Sequence, residues 1–214
     1  MNRNEKFEED LNALAYKLFQ GMSEEHKNKL SKLRDRLIDL HRKNVVKINH
    51  SVMELVCAKH LIERLYEVEV EYPLGMGLTC DLFAFKGYGS LIVEVETGFV
   101  PPEHALDPSS YLAARIASKI VRYNSYAGKF ALGIPPYYIL QFPQIFTQPP
   151  KERVQSELKK VKDLCDLYYH NPPVSLAEIR NARIHAIYII DVDGGEVKEV
   201  DPEIYAKRSV TYNL

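Results

Sequence analysis

The stretch at residues 79–98, TCDLFAFKGYGSLIVEVETG, decides the fold that this sequence predicts. Runs of alternating residues lie on both sides of Gly87-Tyr88-Gly89, which is typical of two strands joined by a tight turn. A turn with an even number of residues pairs the strands in odd register. We therefore expect a β-hairpin with Asp81, Glu94 and Glu96 on one face of the sheet, at its open end.

Three acids on a mostly apolar sheet face require a physical reason. Like charges that face each other in a sheet cost about 0.2–1 kcal/mol even when solvated. Partial burial against Phe83 and Ile92 raises that penalty, or raises the pKa of one acid. A divalent cation would remove the cost, and Mg²⁺ bound by few carboxylates keeps positions for water and phosphate. The alternative is an edge hairpin whose acids face water.

The order and spacing of these acids resemble a known nuclease family. Asp81 is followed thirteen positions later by Glu94-Val95-Glu96. This resembles the PD-(D/E)XK nuclease superfamily, in particular its archaeal Holliday junction resolvase branch, and the overall pattern is similar to nuclease-like proteins of archaeal spindle-shaped viruses. The resemblance covers about residues 49–133. It implies a restriction-endonuclease-like α/β fold, in which helices flank a mixed sheet.

The resemblance also implies roles for single residues. Glu54 matches the helix acid of the superfamily, Asp81 the strand Asp and Glu94 the metal-binding acid, whereas Glu96 stands where most members have Lys. Lys119-Ile120-Val121-Arg122-Tyr123 resembles the Gln-x-x-x-Tyr motif of resolvase-like members, with Lys in place of Gln. The implied catalytic set is Glu54, Asp81, Glu94, Glu96 and Lys119. Asp81, Glu94 and Glu96 would hold Mg²⁺ or Mn²⁺, and Lys119 would supply the positive charge missing at Glu96.

The helix predicted at residues 49–66 places Glu54 on a stripe of core residues. An unpaired acid there is costly, so Glu54 needs a partner. Two alternatives stay open: a salt bridge to a base such as Lys59 or Arg64, or contact with a metal or water beside Asp81.

The same helix carries two histidines, and a strand is predicted to follow it. His50 and His60 are expected to be packing or surface residues rather than ligands. Residues 66–72, YEVEVEY, alternate and predict the first strand of the sheet, with its valines inward and its glutamates outward.

The helix predicted at residues 109–126 carries a row of basic and aromatic side chains beside its apolar stripe. Such a row suits a phosphate backbone, although most basic helix faces are only solvated. The predicted nucleic-acid-binding residues are Arg115, Lys119, Arg122, Tyr123 and Tyr126.

The first 48 residues predict two amphipathic helices with leucines at intervals of three and four. We expect a helical hairpin at 1–48 and a nuclease-like domain at 49–214. Two exposed leucine stripes need a partner, so we expect a homodimer.

Residues 129–134, 184–192 and 196–200 predict further strands, and 151–169 predicts a helix. Residues 137–148 are ambiguous between a strand and a short helix. Asp191 and Asp193 lie at a Gly-Gly turn and are expected to form it rather than bind metal.

Composition sets broad limits on function. The chain has 214 residues, 46% of them hydrophobic, and a net charge of −1, which argues against a protein that coats nucleic acid by bulk electrostatics. Its three cysteines form no CxxC pair, so neither a disulfide framework nor a zinc site is indicated. No apolar run approaches the roughly 20 residues that cross a bilayer. We expect no membrane partner and a cytoplasmic protein, in the host cytoplasm if it is viral.

These observations lead to a first hypothesis and two alternatives. The first is a Mg²⁺- or Mn²⁺-dependent DNA endonuclease that acts on branched or structured DNA. One alternative is a non-catalytic nucleic-acid-binding protein on the same fold. The other is a helical protein-interaction scaffold built on residues 1–48.

Overall fold

The computed structural model describes residues 3–75 and 77–211. The first two residues of the predicted N-terminal hairpin and the last three of the predicted nuclease-like domain lie outside the described residues. The helices are α1 (Arg3–Leu18), α2 (Glu24–Arg42), α3 (Ile48–Glu63), α4 (Pro108–Tyr123), α5 (Gln155–Asp166), α6 (Leu176–Asn181) and α7 (Pro202–Thr211). The strands are β1 (Glu67–Gly75), β2 (Leu78–Lys86), β3 (Gly89–Val95), β4 (Lys129–Ile134), β5 (Ala186–Asp191) and β6 (Glu196–Val200).

The six strands form one mixed sheet in the order β1-β2-β3-β4-β5-β6. Strands β1, β2 and β3 form an antiparallel meander, β3, β4 and β5 are parallel, and β6 returns antiparallel to β5. The parallel pairs need crossovers, and α4 lies in the first while α5 and α6 lie in the second. The predicted α/β class with a mixed sheet flanked by helices is confirmed at this level.

Alternation along the strands divides the interior into two hydrophobic layers. One layer joins α1, α2 and α3 to one face of the sheet, including Leu82, Val93 and Val95. The other joins α4, α5 and α6 to the opposite face, including Ile92 and Leu132. Glu94 lies between Val93 and Val95 in sequence, so its side chain belongs to the α4 face.

The central hairpin has the predicted register. Lys86 pairs with Gly89 and Leu82 with Val93, which leaves Gly87 and Tyr88 as a two-residue turn. Gly87 has φ +58°, a left-handed conformation that glycine adopts without strain. If the same register is extended one residue beyond the Leu82–Val93 pair, Asp81 lies opposite Glu94.

The reason we gave for a homodimer is wrong, because the leucine stripes of α1 and α2 are already covered. Leu11, Leu30 and Leu37 are fully buried and belong to the same core as α3 and the sheet. Phe7 of α1 also stacks on His41 of α2, with ring centroids 3.7 Å apart. These helices bury their apolar faces within the chain, so the stripes offer nothing to a second copy. The homodimer itself stays a prediction.

Several predicted elements change in extent. The strands at 129–134 and 196–200 are confirmed, whereas the helix predicted at 151–169 is reduced to α5 and preceded by a 3₁₀ turn at Pro150–Glu152. The ambiguous segment 137–148 is mostly irregular, with one 3₁₀ turn at Gln144–Phe146. Asp191 forms the predicted turn, because its side chain accepts a hydrogen bond from the Gly194 amide.

Two short helices, α6 and α7, were not predicted. In the described residues, no helix combines the length and the apolar character needed to span a bilayer.

Candidate active site

Asp81 and Glu94 meet at the open end of the hairpin, where regular strand pairing stops. The amide of Asp81 donates to Oε1 of Glu94 at 3.0 Å, and the amide of Val95 donates to Oδ2 of Asp81 at 2.6 Å. Each acid therefore accepts a backbone hydrogen bond from the opposite strand. This exchange brings together the two acids that the sequence pattern predicted to be neighbours.

Lys119 of α4 closes the site from the helix side. Its Nζ lies 2.9 Å from Oε2 of Glu94 and 2.5 Å from Oε1 of Glu96. Arg115, one turn earlier on α4, places Nε 3.3 Å from the same Glu96 oxygen. Glu94 is 2% exposed and Glu96 is 0% exposed, so Lys119 neutralises charge in a largely dry environment.

The charges of these groups follow from burial and from their neighbours. Burial and the Asp81 carboxylate raise the pKa of Glu94 to about 8, although Lys119 opposes the shift. Burial also acts to raise the pKa of Glu96, but Lys119 and Arg115 outweigh it and the pKa is lowered. Lys119 and Arg115 therefore favour the ionised form of Glu96, whereas burial and the Asp81 charge favour the protonated form of Glu94.

Lys119 remains charged at this position. Burial acts to lower its pKa, but the carboxylates of Glu94 and Glu96 prevail and hold the pKa well above its ordinary value. A permanently charged ammonium thus lies at the junction of α4 and the hairpin.

Glu54 approaches the same place from α3. It is fully buried, and neither carboxylate oxygen has a hydrogen-bond partner among the described residues. Burial, reinforced by the Asp81 charge, holds the pKa of Glu54 well above its ordinary value. A polar group in this state is costly, by about 1–3 kcal/mol for an unpaired buried acceptor.

The salt-bridge alternative for Glu54 is wrong. Lys59 pairs instead with Glu63 at 3.5 Å, and Arg64 hydrogen-bonds to the ring and the carbonyl of His60. Both bases therefore bind other groups near the C-terminal end of α3. The other alternative for Glu54, contact with a metal or water beside Asp81, stays open.

His50 belongs to this cluster, contrary to the expectation that it only packs or faces solvent. Three possible ligand atoms, one from each of His50, Glu54 and Asp81, lie within 4.8 Å of one another. Burial lowers the pKa of His50, so its imidazole is neutral and able to bind a cation at neutral pH. The spacing of four residues between His50 and Glu54 puts both on one helix face, a signal from which the pair could have been found.

Glu71 of β1 is a second residue near Asp81 for which the sequence-based expectation was wrong. We predicted it to point outward, but burial and the nearby Asp81 charge raise its pKa to about 7. Its backbone has φ +47°, which breaks the alternation of the strand. Arg36 of α2 donates to the Glu71 carbonyl at 3.0 Å and holds this irregular segment.

The predicted row of nucleic-acid-binding residues on α4 contacts the protein itself. Besides the ion pairs of Arg115 and Lys119, Arg122 donates to the Pro172 carbonyl at 2.7 Å, and the Tyr123 hydroxyl donates to the Thr79 carbonyl at 2.7 Å. Tyr126 is half-buried and packs against the core. The solvent-facing basic row is therefore wrong as a description of this helix, because the acids beneath it turn its cations inward.

Comparisons of the chain with protein-family models, with curated proteins and with solved structures return no match. The resemblance to PD-(D/E)XK nucleases stays a prediction drawn from the sequence motifs.

Proposed function

We propose that the protein is a divalent-metal-dependent DNA endonuclease whose centre lies where the hairpin opens. One observation carries this proposal: the carboxylates of Glu54, Asp81 and Glu94 converge there with too little positive charge. Lys119 contacts Glu94 and Glu96 but leaves both oxygens of buried Glu54 without a donor among the described residues. A cation would satisfy these oxygens and relieve the repulsion that raises the pKa of Glu94.

The donor set fits a hard divalent ion with some tolerance for nitrogen. Asp81 and Glu54 would hold it through oxygen and His50 through a ring nitrogen, since these three groups lie within 4.8 Å of one another. Glu94, which is bonded to the Asp81 amide and to Lys119, would join them only by turning one oxygen to the ion. Because Mg²⁺ is bound almost wholly through oxygen, the imidazole favours Mn²⁺ of the two. A bound ion of this kind polarises a phosphate and generates hydroxide from water near neutral pH.

The protein side chains have separate tasks in this proposal. Lys119 supplies a fixed positive charge for the extra negative charge that develops on a phosphate during hydrolysis. Glu96 is a positioning residue, because its buried carboxylate and Arg115 hold Lys119 in place. The contacts are consistent with Lys119 replacing the lysine that the superfamily has at position 96.

The preference for branched or structured DNA comes from the family resemblance and forms part of the proposal. The direct test is cleavage of a labelled four-way junction in Mn²⁺ and in EDTA, by wild type, by Asp81→Asn and by Asp163→Asn. Asp163 is an exposed acid of α5 and serves as the matched control. We expect metal-dependent cutting by wild type and by the control, and a loss on the order of 100-fold or more in Asp81→Asn. Equal rates for the three proteins would refute the assignment.

A second candidate function is nucleic-acid binding without catalysis. The observation that favours it is the pairing of Lys119 with both Glu94 and Glu96, which supplies an internal counter-charge. The same junction assay separates the two candidates. Binding in a gel shift with no product in Mn²⁺ from four-way, flap or single-stranded substrates would favour this second function.

A further inference from the structure

A cavity of about 480 Å³ lies on the α4 side of the sheet, where β4 ends and α7 contacts β5. Its walls include Tyr137, Tyr138, Tyr205, Pro136, Lys198 and Arg208. The volume falls in the range of small-molecule sites, roughly 300–1,000 Å³. Three aromatic rings and two cations around one cavity suit a flat ring attached to an anion.

The two cations are not used in ion pairs. Lys198 and Arg208 are exposed, and neither makes a salt bridge to another described residue. Of the three aromatic rings, that of Tyr205 is fixed in position by a hydrogen bond. Its hydroxyl oxygen accepts from the Leu140 amide at 2.9 Å. Tyr137 is 84% exposed, which leaves its ring face available for stacking.

Tyr138 connects this cavity to the acid site. Its ring packs on Gly98, where an added Cβ would lie 2.6 Å from the ring atoms Cδ2 and Cε2. Gly98 follows Glu96 by two residues, and the Glu96 charge together with burial raises the pKa of Tyr138 to about 12. Tyr138 therefore lines the cavity and also contacts the segment that directly follows Glu96.

A second, larger cavity of about 770 Å³ adjoins the first. It shares Pro135, Pro136 and Tyr137 with the first cavity and is also lined by Thr97 and Phe99, which directly follow the acidic strand. Phe99 is 61% exposed, so a second aromatic face lies open in this cavity. Both cavities lie at the carboxyl ends of the parallel strands, where ligands commonly bind in α/β sheets.

We propose that the smaller cavity binds a single unpaired nucleotide, with its base on Tyr137 and its phosphate between Lys198 and Arg208. The ligand chemistry is a nucleobase with a 5′-phosphate, supplied by an unpaired part of a DNA strand or by a free mononucleotide. The strand is the source that fits the two adjoining cavities, because neighbouring nucleotides could occupy the second one beside Thr97 and Phe99. As an assignment of substrate form, this inference rests on the proposed nuclease function.

The test measures binding without cleavage, with the full chain in EDTA. A labelled oligothymidine of about 12 nucleotides is compared with a duplex of equal length by fluorescence anisotropy. Free deoxythymidine 5′-monophosphate is added as a competitor. We expect wild type to bind the single strand more tightly than the duplex. Displacement by millimolar mononucleotide would identify free nucleotide as a second source of the same ligand, and absence of displacement would identify the strand alone.

Two sets of variants separate the cations from the ring. Lys198→Gln/Arg208→Gln removes the charge that neutralises one phosphate, so the log–log salt slope should fall by about 0.7 and the affinity by roughly 8-fold near 0.05 M salt. Lys159→Gln/Lys160→Gln removes the same charge from exposed positions on α5 and should leave both unchanged. Tyr137→Ala should weaken binding by about 5- to 150-fold, and Tyr137→Phe should retain it because the stacking face remains.

The outcomes also separate this inference from the proposed function. Equal binding by the two double variants, or equal binding of single strand and duplex by wild type, would overturn the nucleotide cavity. Metal-dependent cleavage that is lost in Asp81→Asn would still support the nuclease in that case. If instead binding depends on Lys198 and Arg208 but no substrate is cut, the cavity stands and the nuclease assignment fails.

Discussion

The acid site makes the stability of the metal-free protein fall as pH rises, because burial raises the pKa of both Glu54 and Glu94. The pKa of Glu94 is raised to about 8 in the folded protein, against an ordinary value of 4.5. The folded state therefore binds one proton more than the unfolded state between those values. By linkage, the stabilising contribution is complete below pH 4.5 and is lost as pH rises through about 8.

The size of the effect follows from one proton per molecule, which corresponds to about 1.4 kcal/mol per pH unit. Glu94 holds nearly one proton at pH 6.5 and about half a proton at pH 8, so the free energy of unfolding should fall by about 1.7 kcal/mol between these values through Glu94. Glu71 acts in the same direction, with a pKa raised to about 7, but it is partly exposed and its effect is smaller. His50, whose pKa is lowered, acts below pH 6.5 with the opposite sign, so the chosen window excludes it.

Urea unfolding in EDTA at pH 6.5, 7.25 and 8 measures this slope. Glu94→Gln removes one titrating proton and should make the slope shallower, with the contributions of Glu54 and Glu71 remaining. Glu157→Gln, at an exposed position on α5, should keep the wild-type slope. Stability that rises with pH in wild type, or equal slopes in wild type and Glu94→Gln, would show that the pKa of Glu94 is not raised in the folded protein.

Three other substitutions test separate parts of the structure. Lys119→Met leaves buried carboxylates without their cation and should cost about 3–5 kcal/mol in urea unfolding at pH 7.5; a neutral effect would contradict the ion pairs. Gly98→Ala places a Cβ against Tyr138 at φ +75° and should lower stability by about 1–2 kcal/mol or more, measured as Tm. Leu11→Ala should cost about 2–5 kcal/mol because Leu11 is fully buried, whereas Tyr16→Ala, 73% exposed on the same helix, should change stability by about 0.5 kcal/mol or less; similar losses would mean that α1 is not part of the core.

The hairpin and the pairing of its acids followed from the sequence because they depend on local rules. A two-residue turn at Gly87-Tyr88 sets the register, and a period of two then decides which face Asp81 and Glu94 share. Helical spacing similarly placed Glu54 on a buried stripe of α3. Each of these results needs only residues close in sequence or directly opposite across one turn.

The remaining features depend on distant contacts that a periodic pattern does not encode. The stripe on α1 predicts that Leu11 is covered but not by which surface, and the covering surface is in the same chain. The sequence pattern of α4 indicates a solvent-facing row of cations. Arg115 and Lys119 instead pair with Glu96, which lies about 20 residues before them in the chain and comes near them only when the sheet has formed. Glu71 was misplaced because one left-handed residue interrupts an otherwise regular strand.

A missed local signal explains one omission. The short helix α6 begins with a capping box, in which Ser175 and Glu178 exchange hydrogen bonds with the backbone. Its six residues are too few to show a helical period, so the cap was the only available indication.

The sequential strand order has a consequence for synthesis on the ribosome. Glu54, Glu71, Asp81, Glu94 and Glu96 all precede Lys119 in the chain. The meander β1-β2-β3 needs only short turns, so it can assemble while α4 is still inside the exit tunnel. The nascent protein therefore gathers its negative groups before their counter-charge is available, and it depends on protons or ambient cations until α4 docks.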